Sequence, residues 1–324
     1  MRRVFITGGF GFFGQYIVQA VHEHDPQAEL LVLVRTPRRT FLPIQSLPRV
    51  RLISADLRRP DSFEMHLAGV DVVIHNAALV SFKKQDRQAL YQSNITGTHN
   101  LLQAAIQQGC KNFIFISSIS AVGRSPSGPA DETILPNLEE KLAHDMYGYS
   151  KLVGEQDIQA CTGKMRVIIL NPSVIIGPGS RRITQLARWM RCVPVLPIMT
   201  SMNSFVDVRD AAQAVVLALH SGRSGERYII TAYNVDTLSF TRSAVRVLGS
   251  RTLVVPLPKR MIHLGDGLIS LLDWLHLNPG VRKISDMNVD KTYAANKIRD
   301  EMGWCPAYSL EQSLADTFAA LPRT

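Results

Sequence analysis

The chain has 324 residues, 46% of them hydrophobic, enough for one large or two modest domains around a sizeable core. A net charge of +9 with 7% aromatics and no long basic tail argues against nucleic acid and leaves an acidic membrane surface or a phosphorylated small molecule as partners for the excess. The four cysteines, Cys110, Cys161, Cys192 and Cys305, lack zinc or redox spacing and suggest reduced thiols in a cytoplasmic protein; no signal-peptide pattern precedes the first apolar run, and no stretch of about 18 uncharged apolar residues suggests a transmembrane helix.

Val4–Thr7 reads as a buried strand and runs directly into TGGFGFFG, Thr7, Gly8, Gly9, Phe10, Gly11, Phe12, Phe13 and Gly14. Two glycine registers overlap here, Gly9/Gly11/Gly14 as GxGxxG and Gly8/Gly11/Gly14 as GxxGxxG. Either allows a tight turn and close approach of backbone to a pyrophosphate, and the helix expected over Phe12–His24 offers its free N–H groups to that anion. A lone glycine motif is weak evidence. One that follows a strand and opens a helix meets the context the motif requires.

Leu30–Val34 is the second strand, followed by Arg35, with Arg38 and Arg39 close behind and no acid between Glu29 and Asp56. A carboxylate at this point binds a ribose 2′-hydroxyl, whereas an arginine accommodates a 2′-phosphate. Arg35 therefore favours NADP(H), with NAD(H) as the alternative if these arginines only solvate a loop.

Val50–Ser54, Val70–His75, Asn112–Ser117 and Arg166–Asn171 continue the series of buried strands, with helices expected over Asp86–Gln108 and Asp145–Ala160. Such alternation implies an α/β fold, a doubly wound parallel sheet covered on both faces, with ligand beyond the carboxyl ends of the strands. After Asn171 prolines become frequent, and one more clear helix is expected over Asp207–His220. The expected division is a dinucleotide-binding domain of residues 1–172 and 205–232 and a smaller, discontinuous α/β C-terminal substrate lobe of 173–204 and 233–324. Within that lobe, residues 259–277 place Met261, Leu264, Leu268, Leu272 and Leu275 at helical spacing. This stripe fits packing on its own domain, a lid, or contact with a membrane.

The segment HDMYGYSK, His144–Lys151, offers two tyrosines to one lysine. Tyr147 lies four residues before Lys151 and shares its helix face, whereas Tyr149, two before, points elsewhere. An ammonium beside a phenol is expected to lower the phenol's pKa from about 10, so that the pair can act as acid or base near neutral pH. His75, His99 and His144 show no ligand spacing with other His, Cys or carboxylates, and no metal site is expected.

Taken together, TGGFGFFG, SADL at Ser54–Leu57, HNAA at His75–Ala78, NITGTHNLLQAA from Asn94, FIFISS ending at Ser118, YGYSK, NPSVIIGPG from Asn171, FVDVRDAA from Phe205 and the NKIRDEMGW segment resemble, in order, the extended short-chain dehydrogenase/reductase family over nearly the whole chain. Arg35 resembles the NADPH-using relatives of dihydroflavonol reductase, and AALVSFKKQD and SSISAVG resemble the 3β-hydroxysteroid dehydrogenase-like branch. The resemblance implies a Rossmann domain and a Ser–Tyr–Lys site of Ser118, Tyr147 and Lys151. Ser118, rather than Ser117, would bond the substrate carbonyl, and Lys151 would also hold the nicotinamide ribose. Asp56 and Leu57 would meet the adenine, and Asn76, Ala77, Ala78, Pro172 and Ser173 would line the cofactor. Asn94 would support Lys151 through backbone or water contacts, with a purely structural helix role open. A homodimer through the long helices is a family expectation.

The leading function is an NADP(H)-dependent oxidoreductase interconverting a carbonyl and a secondary alcohol. The alternative is a nucleotide-sugar epimerase or dehydratase with tightly bound dinucleotide, for which Arg181, Arg182 and Arg188 could meet a diphosphate unless they form a solvated helix face. A third reading is a dinucleotide-sensing binding protein without turnover. Substrate specificity is expected in the C-terminal lobe.

Overall fold

The computed structural model describes residues 2–36, 40–274 and 289–320. In chain order the described strands are β1 (Arg3–Thr7), β2 (Glu29–Val34), β3 (Val50–Ser54), β4 (Val72–His75), β5 (Asn112–Ile116), β6 (Arg166–Pro172), β7 (Val174–Ile176), β8 (Val195–Ile198), β9 (Met202–Asp207), β10 (Arg227–Ile230), β11 (Tyr233–Asp236) and β12 (Leu253–Pro256). Seven of them form one sheet in the order β10-β6-β5-β4-β1-β2-β3, with every pairing parallel. This is the doubly wound, Rossmann-like sheet expected from the alternation of apolar runs and amphipathic helices.

The strand residues divide between two cores as the period of two requires. Val4, Ile6, Leu30, Val32, Val72 and Ile74 face one layer, with helices Phe12–His24 and Val208–Ser221. Phe5, Leu31, Leu33, Val73, Phe113 and Phe115 face the other, with helix Gly97–Gln107. Strands apolar on both sides can sit only inside such a sandwich. Because β1 lies between β2 and β4, the winding reverses there and opens a crevice at the carboxyl ends of β1 and β4.

The helix expected over Asp86–Gln108 is broken into Arg87–Leu90, a π-helical turn Tyr91–Thr96 and Gly97–Gln107. Asp145 and Asp207, expected as the first residues of their helices, sit instead just before Met146–Gln159 and Val208–Ser221 as N-caps, Asp145 accepting from the Gly148 N–H and Asp207 from that of Arg209. Both are carboxylates at the positive end of a helix dipole.

A second layer of structure follows β6. A three-stranded sheet, β11-β9-β7, and a two-stranded sheet, β12-β8, pack with helices around Ile183, Met190, Phe205, Phe240, Leu314 and Phe318, and the Phe205 and Phe240 rings stack at 4.5 Å. Arg209 clamps the chain's end onto this region. It pairs with Asp207, reaches Asp316 at 2.7 Å and lies 3.4 Å from the centre of the Tyr308 ring. Helix Lys259–Trp274 is present, with Ile262 buried and Met261 and Leu264 exposed. Leu275 and the following residues of the 259–277 stretch lie outside the described residues. No described helix is long and apolar enough to cross a membrane.

Candidate active site

The turn after β1 is shaped by what it has no room for. Gly8 has φ +70°, and a Cβ there would sit 2.7 Å from the Ala77 nitrogen. A Cβ on Gly14 would sit 2.0 Å from the Gly8 carbonyl oxygen. Gly11 is the N-cap of helix Phe12–His24 and provides no side-chain cap, and the first turn holds no acid. The helix end therefore presents uncapped N–H groups and the positive end of its dipole. Thr7, Gly8, Gly9, Phe10, Gly11, Phe12, Phe13 and Gly14 form this turn at the crevice, and Phe10 and Phe13 are buried in the core beneath it.

β4 is locked to β1 by buried polar contacts. The Thr7 hydroxyl is 2.7 Å from His75 Nδ1 and accepts from the Ala77 N–H at 3.1 Å, while His75 Nε2 is 2.8 Å from the Thr98 hydroxyl. Burial, reinforced by the Lys151 charge, pushes His75 down to about 3, so the ring is neutral and structural. Among the described residues no group of three or more His, Cys, Asp or Glu side chains is placed to hold a metal ion.

Asn76 Nδ2 donates to the Gly8 carbonyl at 3.3 Å, and Ala77 and Ala78 continue along the crevice. Arg35, the first residue after β2, is exposed, and its charge helps hold down the Asp56 carboxyl. Most of that depression comes from hydrogen bonds with Arg58, whose Nε lies 3.0 and 3.1 Å from the two Asp56 oxygens. The side chain expected to meet the adenine is thus already gripped by a neighbour. Leu57 is buried and offers its carbonyl to Asn100 Nδ2. Arg38 and Arg39 lie outside the described residues. On the other side of the crevice Pro172 ends β6, and Ser173 is held by its N–H on the Ile230 carbonyl. The buried Ser173 hydroxyl has no hydrogen-bond partner among the described residues.

Ser117 and Ser118 diverge at the end of β5. Ser117 Oγ turns inward and donates to the Glu155 carboxylate. Ser118 caps the short turn Ile119–Ala121 by accepting from the Ser120 N–H, and its hydroxyl stands close enough to Tyr147 to pull that phenol's pKa down. Alternation along a strand end sends neighbouring side chains to opposite faces, so only one serine can reach the crevice.

Tyr147 is buried, and its ring meets Phe82 edge-on at 5.9 Å. Its pKa is pushed up to about 12 by burial, with the Ser118 hydroxyl and the Arg182 charge pulling it down and Asp145 adding to the rise. This corrects the expectation that Lys151 lowers it. The Lys151 ammonium is turned away, donating to the Ile116 carbonyl at 2.7 Å and lying 4.7 Å from the centre of the Phe115 ring. Sharing a helix face brings the two side chains to the same crevice without bringing their polar ends together. Burial lowers Lys151 to about 7, opposed by Glu155. Tyr149 is half-buried.

Asn94, in the π-helical turn, bonds the backbone N–H and carbonyl of Leu79 and the Ser150 hydroxyl. It ties the loop after β4 to the helix carrying Lys151, and its side chain contacts go to these groups. Arg182, at the exposed start of helix Arg181–Cys192, is the one of the three arginines whose charge is felt at Tyr147. The sequence reading missed Glu155, Asn171 and Arg227, which form a buried cluster behind Lys151; the one local signal was a Glu four residues after the Lys.

The model of the NAD dependent epimerase/dehydratase family matches residues 4–235. The chain belongs to that family. Like its homologues, it is an NAD(P)-dependent enzyme of the extended short-chain dehydrogenase type. Two relatives align along almost the whole family member. A Synechocystis sp. protein carrying the name of a dihydroflavonol 4-reductase is 30% identical over 96% of this chain and 92% of its own. A 3-beta-hydroxysteroid dehydrogenase from Mycolicibacterium neoaurum is 25% identical over 97% of this chain and 90% of its own. Two solved structures share the fold. RMD from Pseudomonas aeruginosa, complexed with NADPH, has a TM-score of 0.73 and 21% identity, covering 99% of both chains. A UDP-glucose 4-epimerase from Thermotoga maritima, with UDP-glucose, has a TM-score of 0.78 and 19% identity, covering 98% of both chains.

Proposed function

We propose that this family member is an NADP(H)-preferring oxidoreductase that interconverts a carbonyl and a secondary alcohol. The observation that carries the reading is the Ser118–Tyr147 hydroxyl pair at the crevice, next to a glycine turn with an uncapped helix end. The residues fit a dinucleotide. Gly8 and Gly14 have no room for a Cβ, so the turn stays tight, the helix that starts at Phe12 has no side-chain cap in the place a pyrophosphate would take, and the buried Ser173 hydroxyl has no hydrogen-bond partner among the described residues. When bound, a nicotinamide dinucleotide supplies or accepts the hydride.

The protein's part is positional and electrostatic. Ser118 donates a hydrogen bond to the substrate carbonyl and steadies the negative charge that grows on its oxygen. Tyr147, with its pKa near 12, stays protonated at neutral pH and hands its proton to that oxygen. Lys151, once its ammonium turns from the Ile116 carbonyl, holds ribose hydroxyls and places positive charge beside the phenolate that Tyr147 becomes. Arg35 grips a 2′-phosphate, as the absence of an acid after β2 allows.

A second reading has one observation in its favour. The exposed Arg182 puts positive charge on the site from the segment following β7, where the diphosphate of a nucleotide sugar would benefit. The deciding experiment is to record NADPH oxidation with a panel of ketones and aldehydes, and to identify by mass spectrometry the small molecules that leave the denatured protein. Turnover with a ketone supports the oxidoreductase. Tightly bound NAD accompanied by a nucleotide sugar, with no net NADPH consumption, replaces it with the epimerase or dehydratase.

A further inference from the structure

We infer that Glu155 is a positioning residue of the active site, tying the strand end that bears Ser118 to the helix that bears Tyr147 and setting a buried carboxyl one helical turn from Lys151. The inference rests on the reading that Lys151 serves the reaction.

The geometry is that of a buried hub. Glu155 lies one turn after Lys151 on helix Met146–Gln159 and is 1% exposed. Its Oε1 accepts from Ser117 Oγ and, at 2.6 Å, from Asn171 Nδ2. Its Oε2 lies 3.2 Å from Nε of Arg227. Asn171 Nδ2 also donates to the Ser118 carbonyl at 3.0 Å, and Arg227, on the edge strand β10, reaches the Ala121 carbonyl at 3.4 Å. One carboxylate thus joins the end of β5, the end of β6 and the first residue of β10 to the Tyr–Lys helix.

Stability alone gives little reason for this arrangement. Desolvating an ion pair costs several kcal/mol per ion, and an apolar replacement of the same volume is often as stable. The pair sits where charge has a use. The titratable and charged groups around Lys151 are Glu155 on its own helix, Tyr147 one turn earlier, His75 from β4, and Arg227 from β10 behind the carboxylate. His75 is neutral and Arg227 is positive, so Glu155 is the group that opposes the effect of burial on the lysine. Without it the lysine would lose its proton below neutral pH, and with it both its charge-assisted grip on a ribose and its field on a phenolate.

The test reads the lysine directly, in the full chain carrying 13C-labelled lysine. The Lys151 Cε resonance, assigned by its loss in Lys151→Arg, is titrated with pH. The wild-type midpoint is expected near 7. Glu155→Gln should lower it by about one to three pH units, the usual effect of a nearby opposite charge. Glu155→Asp, which keeps the charge, should stay close to wild type. Glu155→Gln leaves Arg227 unpaired, so the double variant Glu155→Gln, Arg227→Gln is measured alongside and should shift in the same direction. A wild-type midpoint in either Gln-bearing variant overturns the inference. Lys151→Ala separates the two ideas. NADPH affinity and turnover unchanged in that variant remove the role of Lys151, whereas an unmoved midpoint removes only that of Glu155.

Discussion

The glycine turn and the Tyr–Lys helix stand on opposite sides of one crevice and are built by opposite means. The turn works through missing side chains. At Gly8 and Gly14 a single added carbon would meet backbone at 2.7 and 2.0 Å, and the anion-binding power lies in backbone N–H groups that never titrate. The helix works through buried side chains whose protonation is strongly displaced, Tyr147 up to about 12 and Lys151 down to about 7. One side of the site is therefore a matter of shape, indifferent to pH, and the other a matter of charge held out of water. Damage to the first should appear in binding at every pH; damage to the second should appear in rate and in pH dependence.

The largest expected effect is on the side of charge. Tyr147→Phe removes the proton and keeps the ring against Phe82, so turnover should fall by about 10²–10⁴ while NADPH affinity is retained. Steady-state kinetics with parallel binding titrations check this, and near-normal turnover would end the assignment. On the side of shape, Gly8→Ala forces a side chain into φ +70° against Ala77. Strain of about 1–3 kcal/mol should weaken NADPH roughly tenfold to hundredfold. Titrations at pH 6 and pH 8 should give the same loss, and a loss confined to one pH would blur the contrast between the two sides.

Arg35→Ala tests charge at the far end of the cofactor, where it is exposed. Loss of about 1.5–3 kcal/mol should weaken NADPH to a similar degree and leave NADH nearly untouched. Wild-type protein that binds both cofactors equally would contradict it. His75 offers a smaller, thermodynamic measure. Its pKa falls from 6.5 to about 3 on folding, so the unfolded chain binds the extra proton between those values. Stability is whole above pH 6.5 and declines as pH drops, by about 1.4 kcal/mol per unit from this group. Urea unfolding at pH 7 and pH 5 should show a shallower decline in His75→Gln, and identical declines would mean the ring is protonated in the fold. The smallest effect belongs to Tyr149→Phe. Half-buried and two residues from Lys151, it should keep turnover within about threefold, and a larger loss there than at Tyr147 would reverse the choice between the two tyrosines.

Much of this was legible in the residues alone. Helix Phe12–His24 and strand Val50–Ser54 have the bounds that periodicity suggests, but Val50–Ser54, expected to be buried, is an edge strand and leaves Arg51, Leu52 and Ser54 exposed; the parallel sheet follows from the inner strands, which are apolar on both faces. The choice of Tyr147 as the tyrosine on the lysine's face needs only helix spacing. Such features are local, set by side chains within one turn or one strand of each other. The π-helical turn at Tyr91–Thr96 escaped the same reasoning because a one-residue change in helical hydrogen bonding leaves the apolar pattern almost unaltered.

What only the tertiary structure decided lies where distant segments meet in the absence of water. Ser117 and Ser118 are chemically alike, and they part company because Glu155 stands behind one and Tyr147 in front of the other. The lysine expected to acidify the tyrosine instead bonds the Ile116 carbonyl, 35 positions earlier in the chain. Glu155 and Arg227 look in the sequence like two ordinary surface charges, yet they come together from a helix and an edge strand and are 1% and 7% exposed. The sequence by itself determined most strands and helices of the parallel sheet and where the candidate site groups stand along them, because those depend on neighbours in the chain. Protonation, orientation and pairing depend on what each group loses when solvent is replaced by the rest of the protein, and that is decided only when the elements pack.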